Sequence, residues 1–517
     1  MSITTPAPPP TETEPEHLDV LIVGAGLSGI GSAIHLHRDC PDRSFAVLES
    51  RPVSGGTWDL FRYPGIRSDS DMFTLGYSFK SWLGEKAIAD GDSILDYVRE
   101  AAAESGIEQR IRYSRRVVSA SWSSEDARWS VEVANTENSN DQTAPLMAAT
   151  ERLTCDFLFG CSGYYRYDEG FTPQFAGIED FEGELIHPQH WPTELDYAGK
   201  RIVVIGSGAT AMTLVPALAR QAEQVTMLQR SPTYVISRPG RDPIAGGLRK
   251  LLPQRLAYRV IRAVNIGTTL GFYLLSRRAP GLVRGLLRKG VQSALPDDYP
   301  LDTDFKPSYN PWDQRICVVP DADLFRALRG GSASIVTDTI DRFTNDGILL
   351  ESGKRLEADI IVTATGLNMA LLGGGIELDL DGVKVLPSDT VAYKGMMLSG
   401  IPNFAFVIGY TNASWTLKSD LVGQYVARLL NHMRDSGQAV CVPLAPDPSE
   451  PTAPISDLSS GYVQRVVDEL PRQGRRAPWL LRQNYLLDLM MFKHGGLENE
   501  GIRFTSEPTA DRKAVAV

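Results

Sequence analysis

Two glycine-rich turns carry the plainest chemistry in the chain, Gly24-Ala-Gly26-Leu-Ser28-Gly29 and Gly206-Ser207-Gly208-Ala209-Thr210-Ala211. Glycines at this spacing let backbone approach a pyrophosphate, whose charge is met by the amino end of the following helix. Two nucleotide sites in one chain mean two redox cofactors that exchange electrons. Each turn must then follow a buried strand and open a helix. Leu18 to Val23 and Lys200 to Ile205 are short runs fit for parallel strands. A helix to about His37 follows the first turn, and a second helix opens through Met212. Ser44 to Leu48 and Gln224 to Leu228 supply the next strands, so each turn sits in a βαβ unit.

The residue closing each second strand tells the sites apart. Glu49 stands 20 residues after Gly29 and suits a ribose hydroxyl. An N-terminal site of this kind takes FAD. Arg230 stands 19 residues beyond Ala211, where an NAD site would carry an acid. An arginine there pairs with a ribose 2′-phosphate, to which Ser231 can also donate, so the second cofactor is read as NADPH. A bare Gly-x-Gly-x-x-Gly is a weak signal; strand, turn, helix and acid together are a strong one.

The fold class expected is α/β, with two dinucleotide-binding (Rossmann-like) domains, the NADP domain inserted in the FAD domain, and a helical insertion. Cys155 to Gly163 and Ala358 to Gly366 are strand-like runs that end in small residues. The boundaries that follow are a disordered tail over 1–17, a first FAD part over 18–170 and the NADP domain over 171–350 with its helical insertion at 242–300. The second FAD part spans 351–445, and a C-terminal segment spans 446–517. Residues 115–152 read as a hairpin excursion.

Composition excludes several classes. Five cysteines without a Cys-x-x-Cys indicate neither a disulfide framework nor a zinc ribbon. No Cys-x-x-x-x-Cys follows the first βαβ unit, which rejects a disulfide reductase. No metal site is read. The Pro/Thr/Glu-rich start lacks a basic and apolar leader, and no run reaches the ~18 apolar residues of a membrane span, so the expected location is cytoplasmic. Net charge is −11, yet residues 238–291 hold twelve Lys/Arg against the single acid Asp242. That stretch contributes a surplus of eleven positive charges. Arg255, Arg259 and Arg262 fall on one helical face, with Leu256, Val260 and Ala263 beside it. Two readings stay open here: a lid in weak contact with a membrane surface, and a solvated insertion whose apolar face packs on the NADP domain. Nucleic-acid binding is not expected of so acidic a remainder.

The segment Phe181-Glu-Gly183-Glu-Leu-Ile-His187-Pro-Gln-His-Trp191-Pro192 resembles, at every defined position, the Phe-x-Gly-x-x-x-His-x-x-x-Trp-Pro fingerprint of the Baeyer–Villiger monooxygenases. The likeness covers nearly all of residues 18–505 and runs nearest to the ethionamide-activating type. Further segments carry it, among them Arg62-Tyr-Pro-Gly-Ile-Arg67-Ser-Asp69-Ser-Asp71, Tyr309-Asn-Pro-Trp-Asp-Gln-Arg315 and Gly409-Tyr-Thr-Asn-Ala-Ser-Trp415. Gly55-Gly56-Thr57-Trp58 resembles a flavin-monooxygenase motif, which implies that Thr57, Trp58, Asp59 and Leu60 line the flavin's ribityl and pyrophosphate region. The resemblance implies catalysis by Arg315, which would stabilise a C4a-peroxyflavin and its carbonyl adduct. It implies that Asp69 sits by the flavin and orients Arg315, with Asp71 as the other candidate. An Asp–Arg pair in a closed cleft is physically sensible, because a lone buried charge is costly. The implied reaction inserts an oxygen atom from O₂ next to a ketone carbonyl, giving an ester, and also oxygenates sulfides and thioamides. Many relatives place a lysine before the catalytic arginine; here Gln314 stands there, which shifts the phosphate grip towards Arg230. His187 is read as a linker residue that couples the domains, with acid–base catalysis as the other reading.

Two rival readings are kept. One is a heteroatom N- or S-hydroxylating flavin monooxygenase, whose fingerprint usually ends in Tyr rather than Trp191-Pro192. The other is a membrane-surface protein in which the flavin is structural.

Overall fold

The strand Glu16–Val23 is covered on both faces along its second half, as a central parallel strand requires. It pairs in parallel with Phe45–Leu48 on one side and Glu151–Gly160 on the other. The computed structural model describes residues 14–137 and 151–506. Most of the tail expected over 1–17 lies outside the described residues, but Glu16 and His17 already belong to this strand, held by its register with Leu153 and Thr154. Arg115–Ser123 and Arg128–Asn135 form an antiparallel hairpin that extends the sheet beyond Glu151–Gly160. Glu377–Leu380 and Phe404–Phe406 join the same sheet late in the chain. Over it the helix Leu27–Asp39 packs against the helix Trp415–Asp435.

A second, all-parallel sheet runs in the order Ala333–Thr337, Gln224–Gln229, Arg201–Ile205, Ile360–Thr363, Glu184–Ile186. This corrects one boundary. The expected return to the first domain at residue 351 comes too early, because Ile360–Thr363 is an inner strand of the second sheet. A buried apolar run fits any open parallel slot, and only the sheet order decides which one it fills. The chain returns beyond Thr363, where Leu367–Met369 pairs antiparallel with Tyr165–Gly170. The outgoing and returning connections therefore lie side by side.

The Phe181–Pro192 segment is built into this crossing. Phe181 meets the ring of Phe343 edge-on, and Trp191 is buried in the second domain's core. A side chain on Gly183 would stand 2.5 Å from the Asp359 carbonyl, so the segment can lie flat on the strand Ile360–Thr363 only with glycine there. Nε2–H of His187 donates to the Gly366 carbonyl at 3.1 Å, and Nδ1 accepts from the Gln189 N–H at 3.2 Å. These partners assign the neutral tautomer. Burial lowers the ring's pKa against the pull of the Gly366 carbonyl. The histidine thus pins the outgoing connection to the returning one, and both of its nitrogens are spent on backbone.

The insertion consists of the helices Pro243–Leu251, Gln254–Arg278 and Pro280–Gln292. Its faces differ from those expected. Ala257, Tyr258, Ile261 and Arg262 form the buried stripe, while Leu256 and Ala263 are exposed. That stripe packs on the first domain, not the NADP domain. Arg262, 8% exposed, donates to the Phe73 carbonyl at 2.8 Å and the Gly76 carbonyl at 2.6 Å, and faces Asp420 at 3.5 Å. Three acceptors outside the helix make burial of this cation affordable, and none is visible in helical periodicity. The third helix instead inserts Val283, Leu287 and Val291 towards the second domain. The insertion so fastens one domain to the other.

Candidate active site between two nucleotide loops

A cavity of about 360 Å³ opens at the carboxyl ends of the first sheet's parallel strands. This is where open α/β sheets bind ligands. Gly24, Gly26, Ser28, Glu49, Thr57 and Trp58 line it, and Gly29 is buried just behind in the first helical turn. The helix Leu27–Asp39 starts at Gly26 with no side-chain cap and no acid in its first turn, which leaves its amino end free to meet an anion. Glu49 is buried and accepts from the Ala25 N–H at 2.7 Å and the Arg51 N–H at 2.9 Å. Burial pushes its pKa up, and those two donors work against the rise. The fit to a flavin dinucleotide is therefore good. Asp59 and Leu60 do not border the cavity. Asp59 turns instead into three guanidinium groups, those of Arg51 at 2.5 Å, Arg62 at 2.7 Å and Arg99 at 2.8 Å. Three cations outbid a water-filled cleft for one carboxylate.

The second loop has the shape of a second cradle. Gly206 (φ +135°) turns tightly against the Ala364 carbonyl, which a Cβ would approach to 2.3 Å. A Cβ on Gly208 would meet nothing within 4 Å, so the space above it is free for a ligand. The helix Ala209–Leu218 begins there, again uncapped by any side chain. Ser207 Oγ–H donates to the Ser231 carbonyl at 3.2 Å, which ties the loop to Arg230 and Ser231. Arg230 is exposed and, among the described residues, makes no ion pair. Ala209 and Thr210 open the helix, whereas Ala211 and Met212 are buried behind it. Met212 offers its backbone carbonyl to Arg67, which also pairs with Asp323 at 2.5 Å.

Arg315 does not itself border the cavity. Tyr164 and Tyr165, which do, and Tyr462 of the C-terminal segment lie close enough to bear on its charge. Two residues on, Cys317 Sγ lies 3.9 Å from the Ser207 carbonyl of the second loop. Burial works against the guanidinium's charge, but the phenols of Tyr164 and Tyr462 and the Asp69 carboxylate outweigh it. Its pKa stays above the ordinary value, so the group is cationic at any working pH. Its Nε is buried with no acceptor among the described residues. Asp69 acts on Arg315 through its charge, yet among the described residues Arg315 forms no salt bridge within 4.0 Å, so the expected close pair is not formed. Asp71 is committed elsewhere. It is buried and caps the turn Met72–Leu75, accepting from the Thr74 N–H at 2.9 Å.

Sequence reasoning missed three contributors. Tyr164 stacks on Trp415 with ring centroids 4.9 Å apart, and the Trp415 indole donates to Ser28 Oγ at 2.7 Å. Tyr462 arrives from a segment with no chemical signature of its own. Trp415 could have been found, since it ends the Gly409–Trp415 segment already singled out.

The profile of a family described as "Flavin-binding monooxygenase-like" matches residues 86–262, and that of an NAD(P)-binding Rossmann-like domain matches residues 22–82. The FAD-containing monooxygenase EthA of Mycobacterium tuberculosis is 54% identical over 494 residues, covering 95% of this chain and 99% of the relative. The chain belongs to the FAD-containing monooxygenase family. The Baeyer–Villiger monooxygenases, which the Phe181–Pro192 segment resembles, are FAD-containing monooxygenases of this kind. The probable FAD-binding monooxygenase AlmA of Acinetobacter baylyi is 47% identical over 504 residues, covering 96% of this chain and 98% of the relative. Among solved structures, an oxidized steroid monooxygenase bound to NADP superposes with a TM-score of 0.73 at 21% identity, over 95% of this chain and all of that one. The enzyme is thus an oxidoreductase of two-nucleotide architecture, and among the described residues no helix is long and apolar enough to cross a membrane.

Proposed function

We propose that this monooxygenase uses NADPH and O₂ to insert oxygen next to a carbonyl, turning a ketone into an ester, and that it also oxygenates sulfides and thioamides. One observation carries the reading. Arg315 offers a permanent charge, and a buried Nε–H with no acceptor among the described residues, close to the tyrosines that line the first cavity. Bound FAD, once reduced by NADPH, supplies the activation of O₂. Gly24, Gly26, Ser28, Glu49, Thr57 and Trp58 would hold the flavin nucleotide, and Gly206, Ser207, Gly208, Ala209, Thr210, Arg230 and Ser231 would hold NADPH.

Attack on a carbonyl gathers negative charge on its oxygen as the new C–O bond forms. A fixed donor that is already charged stabilises that oxygen without reorganising. Arg315 is that donor, and Asp69 keeps its charge favourable from a distance. The stacked rings of Tyr164 and Trp415 wall the cavity beside the first loop. His187, with both nitrogens bonded to backbone, takes no part in proton transfer.

The test is Arg315→Ala assayed in two half-reactions. NADPH should still bleach the flavin without air, while ester formed from a simple methyl ketone should fall roughly 100- to 1000-fold. Retained ester formation would overturn the role of Arg315. Hydroxylation of amines with no ester from the unaltered enzyme would favour the heteroatom-hydroxylating alternative.

A further inference from the structure

The helical insertion spends its cations unevenly. Arg241, Arg277 and Arg288 pair with Glu85, Asp313 and Asp302, Arg249 donates to carbonyls of residues 82–84, and Arg262 is buried. Lys250, Arg255, Arg259, Arg278, Arg284 and Lys289 are exposed and, among the described residues, have no carboxylate partner. Large apolar side chains stand among them. Leu251 is 81% exposed, Leu282 57% and Leu286 54%, with Leu256 beside Arg255. Lys250-Leu251 and Arg255-Leu256 flank the corner between the first two helices. Leu282, Leu286 and Lys289 recur at i, i+4 and i+7 on the third.

Among the described residues, no carboxylate pairs with these cations and no neighbour covers these leucines. An acidic protein surface or a nucleic acid would satisfy the cations but would leave the leucines in water. A bilayer bearing anionic headgroups answers both, with phosphates for the cations and the acyl boundary for the leucines. We propose that the outer face of the 243–292 insertion docks this enzyme on an anionic lipid surface. The proposal is independent of the oxygen chemistry, since none of these residues lines the cavity at the first nucleotide loop.

The test is co-sedimentation of the flavin-loaded enzyme with vesicles of phosphatidylcholine alone or mixed with phosphatidylglycerol. Binding is expected only to the anionic vesicles, and it should collapse when salt is raised to about 0.5 M. The triple variant Lys250→Glu, Arg255→Glu, Arg259→Glu should bind roughly 100-fold more weakly, while its flavin content and NADPH-driven flavin reduction stay unchanged. A second variant, Leu251→Ser with Leu286→Ser, should weaken binding without altering its salt dependence. Equal binding to neutral vesicles, no binding to either kind, or full binding by the triple variant would overturn the proposal. So would a face that captures duplex DNA or a second copy of the enzyme in place of lipid.

Discussion

Replacing Gly208 by alanine separates what the second loop does for the fold from what it does for a ligand. Gly208 has an extended backbone (φ −82°, ψ −176°) that any residue adopts, and its Cβ would meet no protein atom within 4 Å. Gly208→Ala should therefore leave the protein at least as stable, with a gain of about 0.4–1 kcal/mol from the stiffer unfolded chain. The new methyl group would sit where a pyrophosphate has to approach the helix end. Losing one charge-assisted hydrogen bond costs about 1.5–3 kcal/mol, which is a roughly 10- to 150-fold loss of NADPH affinity. Gly206→Ala is the contrast. At φ +135°, with the Cβ 2.3 Å from the Ala364 carbonyl, the loop itself must shift, and the protein should lose several kcal/mol. Urea unfolding gives the stabilities, and the NADPH dependence of anaerobic flavin bleaching gives the affinities. Full NADPH affinity in Gly208→Ala would refute the placement of the ligand, and equal instability of the two variants would refute the packing argument.

Three further outcomes follow from the same geometry. Arg230→Ala should raise the KM for NADPH about 10- to 100-fold and leave that for NADH unchanged, as read from initial rates with each nucleotide; equal losses with both would remove the 2′-phosphate from the account. Arg262→Met should cost about 1–3 kcal/mol in urea unfolding, because the buried Phe73 and Gly76 carbonyls lose their donor while Asp420 keeps His35 and the Ser78 N–H; no measurable cost would mean that the insertion is held by its apolar stripe alone. Lys394 is buried, and burial first, then the cations of Arg428 and Lys418, lower its pKa to about 8. Between pH 8 and the unfolded value near 10.5 the unfolded chain holds a proton that the native protein has shed, so stability rises with pH across that window, by about 3 kcal/mol in all. Unfolding of Lys394→Met beside the unaltered protein at pH 8 and pH 10 should show this rise only where the lysine is present; an identical slope in both would refute it.

The two βαβ units were legible because glycine spacing, a short buried strand and a terminal acid or arginine are local signals. The position of Ile360–Thr363 was not, because strand order is a property of the whole sheet. The helical insertion expected over 242–300 is present as three helices, but periodicity set the buried face of the middle one, Gln254–Arg278, wrongly. The carbonyls that satisfy Arg262 belong to residues 73 and 76, far away in sequence. Motif likeness drew Thr57 to Leu60 into one group, whereas the first turn of a helix aims Thr57 at the cavity and Asp59 at three arginines. Tyr164 and Tyr462 reach Arg315 only because both connections and the C-terminal segment converge there. The Phe181–Pro192 segment showed no chemistry in its residue types. In the fold it is the packing of a domain crossing, with His187 as its clasp.

The central claim is that reducing equivalents from NADPH are spent on putting an atom of O₂ into an organic substrate beside Arg315. The direct measurement is turnover of a methyl ketone and of a thioether with NADPH under ¹⁸O₂, with products read by mass spectrometry. One ¹⁸O atom in the ester and one in the sulfoxide, with NADPH consumed in step, is the expected result. NADPH oxidation that leaves no label in either product would contradict the account.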